Sequence, residues 1–422
     1  MRRNARWLLR PTLMGVVMQR LRSILGVATP QLETRHQTSG LNTCFNGGQL
    51  EFADYVAQTR DMIGKVRAGA GVDHLEKIVE GNAPFELKPA AGFPPGQKKI
   101  YKRGVLLTHG LTDSPYFMRH LATFFQENGF RVMAVLLPGH GTQPGDLLDV
   151  RWQEWAKAVA YGADRLADEV DEVYLAGFSA GGALSVCQSL RDKRVRGLFL
   201  FSPAIKITPR AARANWHKIG RWLMPAKQWV HIMPDTDIYK YESLPKNAAA
   251  QMYALTQEVS SQLQKHELSI PVFAAASQDD TSVDTSATLE FMTRAHHPSS
   301  KLVLYTTNME NLPSGIPAVK LEIVNSALPG QKILSSAHTA IVLPADDAHY
   351  GMAGDYANCI HYYPGDRGKY AACKQHAKDI WQGEITDKNL KTGILRRLMV
   401  NPNFVALKIS MQQFIASLNQ VE

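Results

Sequence analysis

The chain of 422 residues has no run of about 18 apolar residues, so a conventional membrane-spanning helix is not expected. Four cysteines are too few for a disulfide framework. Cys187 lies in an apolar helical stretch and reads as core, while Cys359 and Cys373 can equally close one loop or stay reduced. Paired CxxC or HxxxH spacings do not accompany Cys359 and His361, so no metal is expected. Charged residues make up only 20% of the chain against 45% hydrophobic ones, which excludes a wholly disordered polymer. Acid is missing from residues 1–32, where Arg2, Arg3, Arg6, Arg10, Arg20 and Arg22 carry +6 of the net +9. The remaining body is close to neutral, and nucleic acid is therefore not an expected partner.

The basic head makes a poor secretory signal. Its apolar stretch from Thr12 to Met18 is short, Arg20 and Arg22 follow at once, and no clear small-x-small cleavage site comes after them. Its composition also suits a mitochondrial presequence, but a solvated or membrane-grazing arm is the favoured reading, with a cytoplasmic or peripherally membrane-associated protein behind it.

What is present after the Gly/Pro cluster AAGFPPGQKK is an alternation of apolar β-rich runs and helical patterns. GVLLT (104–108), RVMAVLL (131–137), VYLAG (173–177), GLFLFS (197–202), IPVFAAA (270–276) and KLVLYTT (301–307) read as strands, with helices between them. Continuous apolar strands separated by helices predict an α/β fold with a mostly parallel central sheet covered on both faces. The expected organisation is a basic arm and helical extension over 1–98, a core over 99–203 and 268–422, and a helical lid over 204–267. The core carries a C-terminal insert at about 345–395. Phe404, Leu407, Met411, Phe414, Ile415 and Leu418 fall on one face of a closing helix.

Gly177-Phe178-Ser179-Ala180-Gly181 follows an apolar run and opens a helical one. A serine at such a sharp turn presents its hydroxyl beside the unpaired N–H groups of a helix N-terminus, and small neighbours two residues away leave room for the turn. A hydroxyl is a weak nucleophile, so it needs a base and a group that orients the base. Asp279 and Asp280 stand at the end of the IPVFAAA run, and Asp280 is the preferred orienting acid. His338 in SSAHTA is the preferred base, and His349 is the second choice. The N–H groups of Ala180 and Leu111 are expected to form an oxyanion hole, with Gly110 and Thr112 touching substrate and His109 shaping the turn. No nucleotide, flavin or metal motif asks for a cofactor.

At these residues the chain resembles the α/β-hydrolase superfamily, in its carboxylesterase and monoacylglycerol lipase-like (serine aminopeptidase-like) branch. The resemblance runs over LLTHGLTDSPYFMRHLA, VLLPGHGTQPGDL, VYLAGFSAGGAL, SQDDTSV and SSAHTAI. It implies an α/β-hydrolase fold with an inserted lid, Asp280 in the register of the orienting acid, Leu111 and Ala180 as oxyanion donors, and Gly139-His140-Gly141 shaping a loop near the site. The expected activity is hydrolysis of a small-molecule or lipid carboxylic ester through Ser179, His338 and Asp280. Acyl transfer, peptide or amide hydrolysis and, last, non-catalytic binding are the alternatives. The aromatic and basic stretch from Asn215 to Met224, with Trp229, offers a second surface for peripheral membrane contact.

Overall fold

A computed structural model describes residues 31–69, 73–90, 92, 99–207, 225–310, 313–375 and 380–418. The basic arm and the lid stretch from Asn215 to Met224 lie outside the described residues. The first five strands are β1 (Phe85–Leu87), β2 (Tyr101–Thr108), β3 (Phe130–Val135), β4 (Val170–Phe178) and β5 (Val195–Phe201). Next come β6 (Trp229–His231), β7 (Leu244–Pro245), β8 (Val272–Ser277), β9 (Lys301–Thr306) and β10 (Leu321–Asn325), then β11 (Trp381–Gly383) and β12 (Leu395–Arg397).

Eight strands form one sheet in the order β1-β3-β2-β4-β5-β8-β9-β10. Every neighbouring pair is parallel except β1 with β3, which is antiparallel. The inner strands β2, β3, β4 and β8 are buried along nearly their whole length, as strands covered on both sides must be. Alternate side chains feed two cores. Leu106, Met133, Leu175 and Leu198 face the helices Trp152–Glu169, Ala180–Ser189 and Lys246–Lys265. Val105, Val132, Phe199 and Phe273 face Arg119–Glu127 and the closing helix Phe404–Leu418.

Three features differ from the pattern read in sequence. The extension before residue 98 contributes β1 to the central sheet, and its pairing to β3 is a tertiary contact that a three-residue run does not advertise. The stretch between β5 and β8 is not all-helical, because β6 and β7 pair antiparallel ahead of the long helix Lys246–Lys265. The segment after β9 supplies a further edge strand, β10. No described helix is long and apolar enough to cross a membrane. Cys359 and Cys373 form a disulfide within the C-terminal insert, while Cys44 and Cys187 are free.

The extension also frames the loop after β3. Asn42 donates through Nδ2 to the His140 carbonyl at 2.7 Å and accepts at its own carbonyl from Gly139 N–H at 2.6 Å. Arg67 Nε donates to the Gly141 carbonyl at 3.2 Å, and Ser39 N–H to Asp146 Oδ1 at 2.6 Å. The Gly139-His140-Gly141 loop is thereby held from outside the sheet.

Candidate active site

The carboxyl ends of β2, β4, β5 and β8 converge at one edge of the sheet, the place where open α/β sheets bind ligands. Ser179 stands between β4 and the helix Ala180–Ser189 with φ 53° and ψ −112°, a strained conformation for a residue with a Cβ. The surroundings impose it. Ser179 N–H donates to the Phe201 carbonyl at 2.9 Å, and its own carbonyl accepts from Ala204 N–H at 3.0 Å. A Cβ on Gly177 would lie 2.2 Å from the carbonyl carbon of Gly181, and one on Gly181 only 2.1 Å from the Thr108 oxygen. Both glycines are demanded by backbone against backbone.

His338 reaches this turn from the irregular segment after β10. Its Nε2 lies 2.9 Å from Ser179 Oγ and its Nδ1 2.5 Å from Asp280 Oδ2. The Asp280 side chain is almost fully buried, and its other oxygen accepts the N–H groups of Ser282 at 2.7 Å and Val283 at 3.1 Å. Burial alone would push the Asp280 carboxyl up, but His338 and these two N–H donors outweigh it and hold the carboxyl below its usual range. The ionised acid fixes the Nδ1–H tautomer, which leaves Nε2 free to accept the proton of Ser179.

The remaining sequence-selected residues divide between the site and its frame. Leu111 and Thr112 line the same cavity as Ser179, and Ala180 is the first residue of the helix behind the serine. Gly110 packs beneath them, since a Cβ there would lie 3.2 Å from that of Ser179. Asp279 turns away, accepting from Thr307 Oγ1 at 2.9 Å and from Ser326 Oγ at 3.3 Å. His349 is engaged elsewhere, with Nδ1 on Asp355 and Nε2 3.3 Å from Asp237. His109 shapes its turn: Nδ1 contacts the Gly110 carbonyl at 2.8 Å and Nε2 accepts Leu137 N–H at 3.1 Å.

The cavity over Ser179 measures about 380 Å³. Its apolar wall includes Ile207, Leu244, Met252, Val283 and Ile360, and its polar wall His231, Lys240, Glu242 and Arg397. None of the polar four carries a local motif, because each reaches the site through the lid segment or from the end of β12. Lys240 pairs with Asp113 and donates to Thr112 Oγ1 at 3.0 Å, which ties the segment between β6 and β7 to the turn bearing Leu111. Among the described residues, no group of three or more His, Cys, Asp or Glu side chains is placed to hold a metal ion.

The model of the family described as serine aminopeptidase, S33, matches residues 100–309. A thermostable monoacylglycerol lipase of Bacillus sp. (strain H-257) is 27% identical over 163 residues, which are 38% of this chain and 65% of that protein. A carboxylesterase of Bacillus subtilis (strain 168) is 32% identical over 85 residues, 20% of this chain and 35% of that protein. The chain therefore matches less than two thirds of the length of either curated relative. Among solved structures, one described under LipS and LipT, two metagenome-derived lipolytic enzymes, has a TM-score of 0.45 at 22% identity. That similarity covers 53% of this chain and 87% of the other. A monoacylglycerol lipase of Paleococcus ferrophilus has a TM-score of 0.38 at 16% identity, covering 49% and 86%.

Proposed function

We propose that the chain, whose residues 100–309 match the serine aminopeptidase, S33, family model, is an α/β-hydrolase that cleaves carboxylic esters through a serine. The observation that carries this reading is the continuous hydrogen-bonded line from Ser179 Oγ through both nitrogens of His338 to Asp280. Ser179 Oγ bonds to the acyl carbon while its proton passes to His338 Nε2. The tetrahedral oxyanion is received by the N–H groups of Ala180 and Leu111, preorganised donors at the point where charge develops. Collapse breaks the ester C–O bond, and His338 returns the proton to the departing alcohol. Water repeats the sequence on the acyl-enzyme and releases the acid.

The cavity and the relatives support the substrate class. Apolar Ile207, Leu244, Met252 and Val283 suit an acyl chain, and the polar wall suits a hydroxylated leaving group. Relatives named as a monoacylglycerol lipase and a carboxylesterase support a lipid or small ester. One observation favours a second reading, hydrolysis of a peptide with a free amino group: Glu242 puts an acidic side chain on the cavity wall. Its carboxylate already accepts Tyr356 OH at 2.7 Å and Thr236 N–H at 2.8 Å, so the ester reading stands first.

The Cys359–Cys373 disulfide supports an oxidising compartment over the cytoplasm that composition favours. Peripheral membrane contact through the basic arm or the lid stays part of the proposal, read from sequence. Removal of residues 1–30 is expected to weaken binding to anionic liposomes, and equal binding by both forms ends that part of it.

The main test is labelling by a fluorophosphonate of wild type and Ser179→Ala, with turnover of p-nitrophenyl esters from acetate to palmitate and of aminoacyl p-nitroanilides. Labelling confined to wild type with ester turnover is expected. Well-folded wild type that takes no label overturns the serine mechanism, and turnover of anilides alone selects the peptidase reading.

A further inference from the structure

Glu384 lies in the C-terminal insert, 46 residues beyond His338, and its side chain is completely buried. One of its oxygens, Oε2, accepts the backbone N–H of His338 at 2.9 Å and Arg397 Nη2 at 2.9 Å. Thr281 N–H, in the residue directly after Asp280, lies 3.5 Å from the same oxygen. Oε1 accepts Ile385 N–H at 2.8 Å. Arg397 completes the frame by donating to Ser282 Oγ at 2.6 Å, in the turn whose N–H groups hold Asp280. A single carboxylate and its ion-pair partner therefore touch the backbone of both the base and the acid loops.

We propose that Glu384, held by Arg397, is a positioning residue that fixes the His338 loop relative to the Asp280 loop. This rests on the reading of Ser179, His338 and Asp280 as the reacting set. Both loops need such a brace, because neither is held by sheet or helix. Asp280 follows the end of β8, and His338 lies in an irregular segment after β10. Thr339 Oγ1 also ties the His338 loop to the Leu398 carbonyl at 2.7 Å. The ties to the loop's own carbonyls include Ser277 Oγ to Ser336 at 2.9 Å and Ser202 Oγ to His338 at 3.3 Å. Those bonds hold carbonyls from beneath, and Glu384 holds the N–H from the side of the insert. The insert is itself locked to the loop through Leu334 N–H to the Gln382 carbonyl at 2.8 Å and Asn389 Nδ2 to Ser335 Oγ at 3.0 Å.

The brace calls for a carboxylate. Both oxygens must accept, whereas a glutamine amide turns an NH₂ towards one set of donors. Burial alone would push the Glu384 carboxyl up, but Arg397 and the N–H groups of His338 and Ile385 outweigh it and keep the carboxyl below its usual range. Glu384 also explains one use of the long C-terminal insert, which lies outside the matched family region at 100–309.

The test compares full-length wild type, Glu384→Gln, Arg397→Met and Arg397→Lys in ester turnover and in the far-downfield proton resonance of the His338–Asp280 hydrogen bond. Glu384 does not contact the cavity, so Glu384→Gln is expected to lower kcat by on the order of 10²-fold, with KM nearly unchanged, and to shift or broaden that resonance. Wild-type kcat with an unmoved resonance in folded Glu384→Gln overturns the proposal. If Glu384→Gln does not fold, the arginine pair decides through the substrate-free His338–Asp280 resonance, since Arg397 also lines the cavity: Arg397→Met is expected to shift or broaden it more than Arg397→Lys, and an unmoved resonance in both overturns the proposal. Fluorophosphonate labelling of wild type separates the two levels. Absence of label removes the triad reading and this proposal together, and normal label with unaffected variants removes this proposal alone.

Discussion

Asp279 and Asp280 are adjacent in the chain and serve opposite partners: Asp280 Oδ2 meets His338 Nδ1 at 2.5 Å, while Asp279 Oδ1 accepts from Thr307 Oγ1 at 2.9 Å. The turn after β8 separates them. Asp280→Asn is expected to lower kcat by on the order of 10⁴-fold without unfolding the protein, since an amide favours the wrong imidazole tautomer. Asp279→Asn is expected to keep kcat within a few-fold and to act on stability through the Thr307 and Ser326 contacts. Steady-state kinetics with a thermal melt for each variant check this. Equal kinetic losses in the two would show that the acid loop works as a unit and not through Asp280.

Gly181→Ala is expected to fail at the level of the fold. Its Cβ would sit 2.1 Å from the Thr108 oxygen, and backbone on both sides cannot yield as a flexible side chain can. A loss of about 3 kcal/mol or more, or no soluble protein, is expected. Gly330→Ala, with nothing within 4 Å of the new methyl group, is the matched control and should stay within about 0.5 kcal/mol of wild type. Urea denaturation compares them.

The strands and the serine turn are legible in the sequence because their signals are local. GVLLT, VYLAG and IPVFAAA carry the continuous apolar character that burial on both faces imposes, and Ser179 sits between the two glycines that the turn sterically requires. The edge strand β1 and the β6–β7 pair are not legible, since strands of two or three residues exist only through their partners. Spacing left the Cys359–Cys373 pairing open, because connectivity is a property of the folded chain. The same reason hides Lys240, Glu242 and Glu384: nothing near them in sequence says which loop they will face.

The Cys359–Cys373 disulfide closes a loop of 14 residues in sequence separation beside Ile360, which lines the cavity. Cross-links of this span stabilise mainly by restricting the unfolded chain, by about 3 kcal/mol. The double variant Cys359→Ser with Cys373→Ser is expected to lose about that much in urea denaturation. Wild type in reductant should shift in the same direction. An unchanged midpoint under both treatments would mean that the two sulfurs contribute nothing as a pair.

Burial pushes the imidazoles of His109 and His140 down, His109 well below the usual histidine value and His140 to about 4. An unfolded histidine titrates near 6.5. Between about pH 6.5 and about pH 4, then, the unfolded chain takes up a proton at His140 that the folded chain refuses. Stability at this residue is present above the unfolded value and drains away on acidification, by about 1.4 kcal/mol per pH unit. His349 acts in the opposite sense. Burial lowers it, but Asp237 and Asp355 outweigh burial and raise its value, so its contribution is present below the unfolded value and lost as pH rises through the folded one. The net slope of stability against pH is a difference, and the informative quantity is its change on substitution. His140→Gln is expected to remove about one proton from the slope across that window. His140 Nδ1 faces the Leu137 and Pro138 carbonyls at 3.2 and 3.1 Å, and a glutamine amide can donate to the same oxygens, so the pH-independent loss should be smaller than the change in slope. Urea unfolding at several pH values between about 4 and 7 measures both terms. Parallel slopes in wild type and variant would show that His140 is not held neutral in the fold, and the loop that Asn42 clamps would then have to open below about pH 6.5 to admit the proton.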